Sequence, residues 1–322
     1  MSPQWSFPVE LQPQQDEWAF ALDTVLDAVV ALRAEIPEDA FTASILGTER
    51  SGHAVALGSD GVLLTIGYLI TEASSIWLTT NDGAVAAGQP LAFDQATGFG
   101  LVQALGRLDV RGLECGSSES CRPGDSVIVA GHGGRQHALK ATVFAKREFA
   151  GYWEYVLDEA IFTAPAHPHW GGSALIGADG RLLGIGSLLV EEKHEGETLQ
   201  GNMVVPIDLL APIYEDLLNR GRADRPTRPW LGIYVTEVDQ HLAIAGLAEG
   251  GPADKAGVRI GDLLLAVAGE PVSGLANLFR RIWRLGAAGV EVPLTVARRG
   301  ESLPLRVKSG DRRDFLRKPR LH

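Results

Sequence analysis

Imidazole titrates nearest neutral pH and is a frequent metal ligand, and four of the eight histidines lie in two short strings. His132 and His137 sit on the glycine-rich stretch GHGGRQH, and His167 and His169 flank Pro168 in HPHW. His-x-His suits zinc, copper or nickel, yet no carboxylate or thiol stands at a spacing that would complete a ligand set. The two thiols, Cys115 and Cys121, share one polar loop (ECGSSESC), and no zinc pattern can be built from them alone. Ser173 follows the second histidine string and could serve as a nucleophile if an imidazole base and an orienting carboxylate stood beside it. Two readings follow: hydrogen-bonded loop histidines, or a hydrolase that uses Ser173 or a metal held by His132, His137, His167 and His169.

Composition narrows the field. The chain has 322 residues, 45% hydrophobic and 21% charged, which suits about two folded domains. A net charge of −11 argues against a nucleic-acid surface, because phosphate binding needs clustered Lys and Arg. The basic run at 312–320 reads as a solvated tail. No apolar run is long enough to span a bilayer, so no membrane insertion is expected. The first residues (MSPQWSFPVELQPQQDEW) lack the basic and apolar regions of an export signal, which points to the cytoplasm, or to the periplasm if a signal precedes this chain. Both cysteines are then expected as reduced thiols.

The elements that must position these groups are mostly strands. A helix is expected over 17–26, where Trp18, Ala21, Leu22 and Val25 are helically spaced; residues 29–36 could extend it or begin a strand. Short apolar runs follow at 54–57, 62–66, 75–79, 100–104, 126–130, 141–146, 155–157 and 182–189. Gly, Asp and Asn turns such as SDG at 59–61, NDG at 81–83 and ADG at 178–180 separate them. Many short strands with frequent turns indicate an all-β sandwich or barrel. A helix is expected over 207–220 with Gly221 as its stop, then a linker with Pro226 and Pro229. Beyond it, a helix from an N-cap at Ser273 to Gly286 carries the apolar stripe Leu275, Leu278, Phe279, Ile282 and Leu285. A hairpin over 290–307 turns at Arg299-Gly300.

Several ordered landmarks resemble the HtrA/Deg family of trypsin-like serine proteases: SGHAV at 51–55, GSDGVLLT at 58–65, NDG at 81–83, ADGRLLGI at 178–185 and VVPI at 204–207. GPADKAGV at 251–258, GDLLLAV at 261–267, GEPV at 269–272 and WLGI at 230–233 resemble the PDZ domain of the same family. The resemblance implies a mainly β chain, with a trypsin-like double β-barrel followed by an α+β PDZ domain. It divides the chain into an N-terminal extension with a helix (1–28), a trypsin-like domain (29–221), a linker (222–229), the PDZ domain (230–308) and a basic tail (309–322).

The resemblance also implies where a catalytic triad should stand. The base position falls on Tyr68 in TIGYLI, the aspartate position on Gly98 in TGFGL, and the serine position on Gly171 in HPHWGGSAL. A phenol with an ordinary pKa near 10 is a poor base at neutral pH, and two glycines supply no side chain. Two backbone N–H groups form the family's oxyanion hole, one from the nucleophile and one from the glycine two residues earlier, where His169 stands. Making Ser173 the nucleophile needs a two-residue slip that misplaces Gly172 and Leu175.

The expected protein is thus a pseudoprotease scaffold without cofactor. Its PDZ domain would capture peptide or protein C-termini with Trp230, Leu231, Gly232 and Ile233 around the carboxylate, and with Leu275, Phe279 and Ile282 along the groove. The alternative for that groove is occupation by the chain's own barrel or tail. The family's trimers suggest that Trp18 and Phe20 serve assembly, with packing on their own barrel as the other reading.

Overall fold

Alternation of apolar and polar side chains between tight turns produces antiparallel strands with one face inward. The computed structural model describes residues 5–58, 60–194 and 197–317. Strands β1 (Val29–Glu35), β2 (Glu49–Ala56), β3 (Val62–Ile66), β4 (Ser75–Thr79), β5 (Val85–Phe93) and β6 (Phe99–Ala104) close into a barrel in the order β1-β2-β3-β6-β5-β4. Leu32, Leu63, Leu64, Leu78 and Phe99 on its strands are fully buried. A second six-stranded sheet comprises β7 (Ser126–Ala130), β8 (Ala138–Gly151), β9 (Tyr155–Ala164), β10 (Ala174–Ile176), β11 (Leu182–His194) and β12 (Glu197–Pro206). Its order is β10-β11-β12-β9-β8-β7, with β10 also paired to β7. Val127, Val129, Val143, Ile161, Leu175 and Val204 form its buried cluster, and Cys121 joins them as a free thiol, as Cys115 is at the surface.

Residues 29–35 are therefore strand, and the expected helix over 17–26 shrinks to α1 (Leu22–Leu26). The Gln15 side chain explains the loss: it accepts the Leu22 N–H at 2.9 Å and donates to the Phe20 carbonyl at 2.7 Å, while Trp18 takes extended backbone angles. Glu17 pairs with Lys140 at 2.7 Å and Asp23 with Arg135 at 2.5 Å, and the Phe20 ring lies over Gly180. This segment packs on its own unit. A one-turn helix, α2 (Ala43–Leu46), precedes β2. The helix expected over 207–220 is also shorter: residues 207–209 form a 3-10 turn and α3 (Tyr214–Arg220) starts after Pro212, which cannot donate a helical N–H. Gly221 ends it at φ 67°, as its position suggested.

The remaining sheet runs β13 (Ile233–Val238), β14 (His241–Leu247), β15 (Leu263–Val267), β17 (Glu291–Arg298), β18 (Glu301–Lys308), with the short β16 (Glu270–Pro271) against β15. Two helices accompany it, α4 (Pro252–Lys255) and α5 (Leu275–Arg284). The N-cap of α5 is Gly274 rather than Ser273, whose N–H donates to the Asn277 side chain. Arg299 and Gly300 turn the hairpin with φ of 52° and 83°, the left-handed pair that matches strand twist.

Chain contacts divide the molecule into two compact units. Of the described residues, one holds 5–147 and 159–224; the other holds 225–317 together with 148–158, the tip of the β8–β9 hairpin. The expected solvated tail is corrected over 309–317. Trp230 and Gly310 exchange backbone hydrogen bonds at 3.0 and 2.9 Å, and the Phe315 ring lies 4.8 Å from that of Trp230. Residues 318–322 fall outside the described chain.

Leu278 is wholly buried in the apolar cluster of the second unit. Leu278→Ala removes its buried methyls and leaves a cavity, so chemical denaturation should show that unit about 2–5 kcal/mol less stable.

Candidate functional site

The turn after β3 is fixed by a buried guanidinium. Arg50, 4% exposed, donates to the carbonyls of Tyr68 at 2.6 Å and Thr71 at 3.1 Å and to Thr42 Oγ1 at 2.8 Å. Burial pulls Arg50 down to about 10, against the opposing charge of Glu72. With the turn so held, the Tyr68 hydroxyl donates to the Ser187 carbonyl at 2.9 Å, and burial raises its phenol above the ordinary value. A Cβ on Gly171 would lie 2.8 Å from that hydroxyl. The Gly67 N–H donates to Gly98 at 2.7 Å, and Gly98 has a left-handed φ of 85°. Tyr68 and Gly171 line a cleft of about 460 Å³ together with Leu69, His169 and Trp170, while Gly98 is tied to the turn through Gly67 and does not line it.

The segment 167–173 is pinned from both sides. The His53 N–H donates to Gly171 O at 2.8 Å, and Gly172, at φ 77°, would place a Cβ 1.9 Å from His53 O. Only glycine fits there. Ser173 is 1% exposed, and its hydroxyl donates to the Trp170 carbonyl at 2.9 Å. The His169 N–H points at His167 Nδ1 at 3.1 Å.

The four sequence-nominated histidines do come together, with His53 as a fifth. The Trp5 ring stands edge-on to His137, His167 and His169 at 4.8, 5.7 and 4.9 Å. They form no metal centre: among the described residues no group of three or more His, Cys, Asp or Glu could hold an ion. The metal reading is corrected for a physical reason. His53 Nδ1 accepts the His132 N–H at 3.0 Å while Nε2 meets the His169 carbonyl at 3.1 Å. His167 repeats the pattern, with Nδ1 on the His169 N–H and Nε2 3.0 Å from the His137 carbonyl. Each Nε2 must carry the proton to meet a carbonyl, which fixes the neutral tautomer and leaves neither nitrogen for a metal or a substrate proton. Burial first, then the neighbouring imidazoles, draws His53 down to about 3; burial draws His167 down to about 4. Sequence reasoning passed over His53 as part of a hairpin string, since its partners are carbonyls distant in the chain.

In the second unit, residues 231–233 converge on one acceptor. The Leu231, Gly232 and Ile233 N–H groups all donate to the Glu154 carboxylate, at 3.0, 2.7 and 3.1 Å. Consecutive N–H groups in such a concavity form an anion nest. Trp230 is buried against Phe315; Phe279 and Ile282 are wholly buried, and Leu275 packs against the same cluster.

The sequence profile of trypsin-like peptidase domains matches residues 52–185, and that of PDZ domains matches 244–298. A probable periplasmic serine endoprotease, DegP-like, of Pseudomonas putida (strain W619) is 27% identical over 277 residues, covering 80% of this chain and 55% of the relative. One from Halomonas elongata, of the same description, is 25% identical over 273 residues, covering 81% and 56%. The chain spans about half the length of the curated relatives it matches. Among solved structures, an HtrA-type protease, AlgW, with a tripeptide aligns at a TM-score of 0.52 and 20% identity over 94% of this chain and 99% of that one. A serine endoprotease from Yersinia pestis aligns at 0.52 and 19% over 91% and 98%. The cytoplasmic expectation is overturned by the curated relatives, which are described as periplasmic.

Folded His53 and His167 reject protons that the unfolded chain binds near 6.5, so their stabilisation is complete above that pH and is lost as the pH falls toward 4. Stability should drop by about 1.4 kcal/mol per pH unit per histidine across this window. Urea titrations from pH 7 to 4.5 should show His53→Gln with a slope shallower by about that amount.

Proposed function

We propose that this chain, which carries an HtrA/Deg-type trypsin-like domain with a PDZ domain, is a non-catalytic scaffold that binds peptides or protein C-termini. In this reading Tyr68, Gly98 and Gly171 stand at the vestigial triad corners, and the second six-stranded sheet is the second barrel of the trypsin-like fold. The observation that carries it is the 2.8 Å approach of the Tyr68 hydroxyl to the place where a side chain at 171 would begin. A base and a nucleophile belong within such reach of each other; a phenol and a hydrogen atom occupy the two places.

Two further observations support inactivity. The His169 N–H, which the oxyanion position would use, is taken by His167. The Ser173 hydroxyl is buried on a backbone carbonyl, and both nitrogens of His53 and of His167 are engaged, so neither of these imidazoles is free to activate it. The peptide-binding half of the reading rests on the PDZ domain and on the converging N–H groups of 231–233.

In another serine protease fold, loss of the triad costs about a millionfold in turnover. Casein and peptide substrates should remain intact, and a fluorophosphonate probe should leave the protein unlabelled. Labelling that Ser173→Ala abolishes would overturn the pseudoprotease reading. Restoring the three side chains should recover little: Gly171→Ser meets the turn where His169 has lost its donor, and Gly98→Asp puts a side chain at φ 85°. Proteolysis by the triple variant with Tyr68→His within tenfold of an active relative would make the inactivity a matter of those side chains alone.

A further inference from the structure

A PDZ groove binds an extended chain by strand addition, with backbone N–H groups around its terminal carboxylate and a pocket for its apolar side chain. In the second unit each of these places is already filled by residues 148–158. Glu154 presents its carboxylate to the N–H groups of Leu231, Gly232 and Ile233. The edge strand β13 donates the Val235 N–H to the Tyr152 carbonyl at 3.0 Å. Val156, 5% exposed, belongs to the same buried cluster as Leu231, Ile233, Phe279 and Ile282.

The hairpin tip is built for this contact. Tyr152, Trp153 and Glu154 form a three-residue turn whose last position is left-handed, where glycine is the usual residue. Glu154 takes φ 60° instead, a conformation strained for any residue with a side chain. Three hydrogen bonds to its charge offset that strain. Gly151 lets the Trp153 ring fold over the backbone, and that ring stacks on Tyr155 at 5.6 Å. At the base of the tip, Arg280 of α5 pairs with both Glu148 and Asp158.

We propose that the β8–β9 hairpin tip is a resident ligand of the PDZ groove, with Glu154 standing in for a terminal carboxylate and excluding external peptide ends until the tip withdraws. The proposal rests on the reading of residues 230–233 as a carboxylate site. Acidification should favour withdrawal. Burial pushes Glu154 up to about 7, against the pull of the three N–H groups and of Arg312. The charged and titratable groups that interact with it are Arg312 and Tyr234. Guanidinium and phenol groups ordinarily titrate far above this window, and a peptide's terminal carboxylate far below it. As the pH falls through 7 the resident ligand therefore loses its charge while a competing peptide keeps its own.

The test uses the full chain and a fluorescent peptide with an apolar last residue, as free acid and as amide. Glu154→Gly is the variant of choice, because glycine suits φ 60° and only the side chain is lost. At pH 8 the variant should bind the free acid at least tenfold more tightly than the natural chain, with the amide weak on both, and amide hydrogen exchange at 231–233 should accelerate. Between pH 8 and 6 the natural chain should gain affinity severalfold and the variant should not. Equal affinity of the two proteins at pH 8 would overturn the proposal. If neither binds the free acid, exchange decides: acceleration in the variant upholds the resident carboxylate and removes terminal-carboxylate recognition from the proposed function, and unchanged exchange removes the resident carboxylate.

Discussion

The first unit depends on the close approach of two backbones, at His53 and at Gly171-Gly172. A Cβ on Gly172 would sit 1.9 Å from the His53 carbonyl, and the adjoining hydrogen bond from His53 to Gly171 leaves no slack. This clamp fixes where 167–173 runs, and hence where the Tyr68 hydroxyl, the Trp170 carbonyl and the His169 N–H fall. The cleft is then shaped by backbone groups already bonded to one another. Here the hydroxyls of Tyr68 and Ser173 both end on carbonyl oxygens.

The histidines follow from the same economy of partners. Imidazole has one donor and one acceptor when neutral, and His53 and His167 spend both on the backbone. Buried in this way they act as rigid crosslinks between loops, which explains how a segment of such unusual composition is held without a metal.

Local pattern revealed much of the architecture. The strands Val62–Ile66, Ser75–Thr79 and Ser126–Ala130 stand where turn residues and apolar runs placed them, and Gly221 ends its helix as expected. Residues 17–26 misled because one glutamine side chain, Gln15, diverts the backbone bonds that helical spacing alone presumes. Strands β8 and β9 run far past the apolar stretches that marked them, since their tip draws its burial from partners distant in sequence. Glu154 was invisible for that reason: a glutamate in a turn reads as solvated until the N–H groups of 231–233 are found around it.

Because Glu154 and its nest belong to one polypeptide, their encounter is governed by effective concentration rather than by abundance. A tethered ligand acts as if present at roughly millimolar concentration, and it is never diluted. With a micromolar intrinsic affinity for the resident tip, any free peptide would then be handicapped by about a thousandfold. Scarce or poorly matched chain ends would be screened out, and only ends that are concentrated, multivalent or unusually complementary would register. The turn residue Glu154 thereby sets a threshold on what the groove can sense, and its strength is adjustable by any change that stiffens or loosens the hairpin without touching the groove itself.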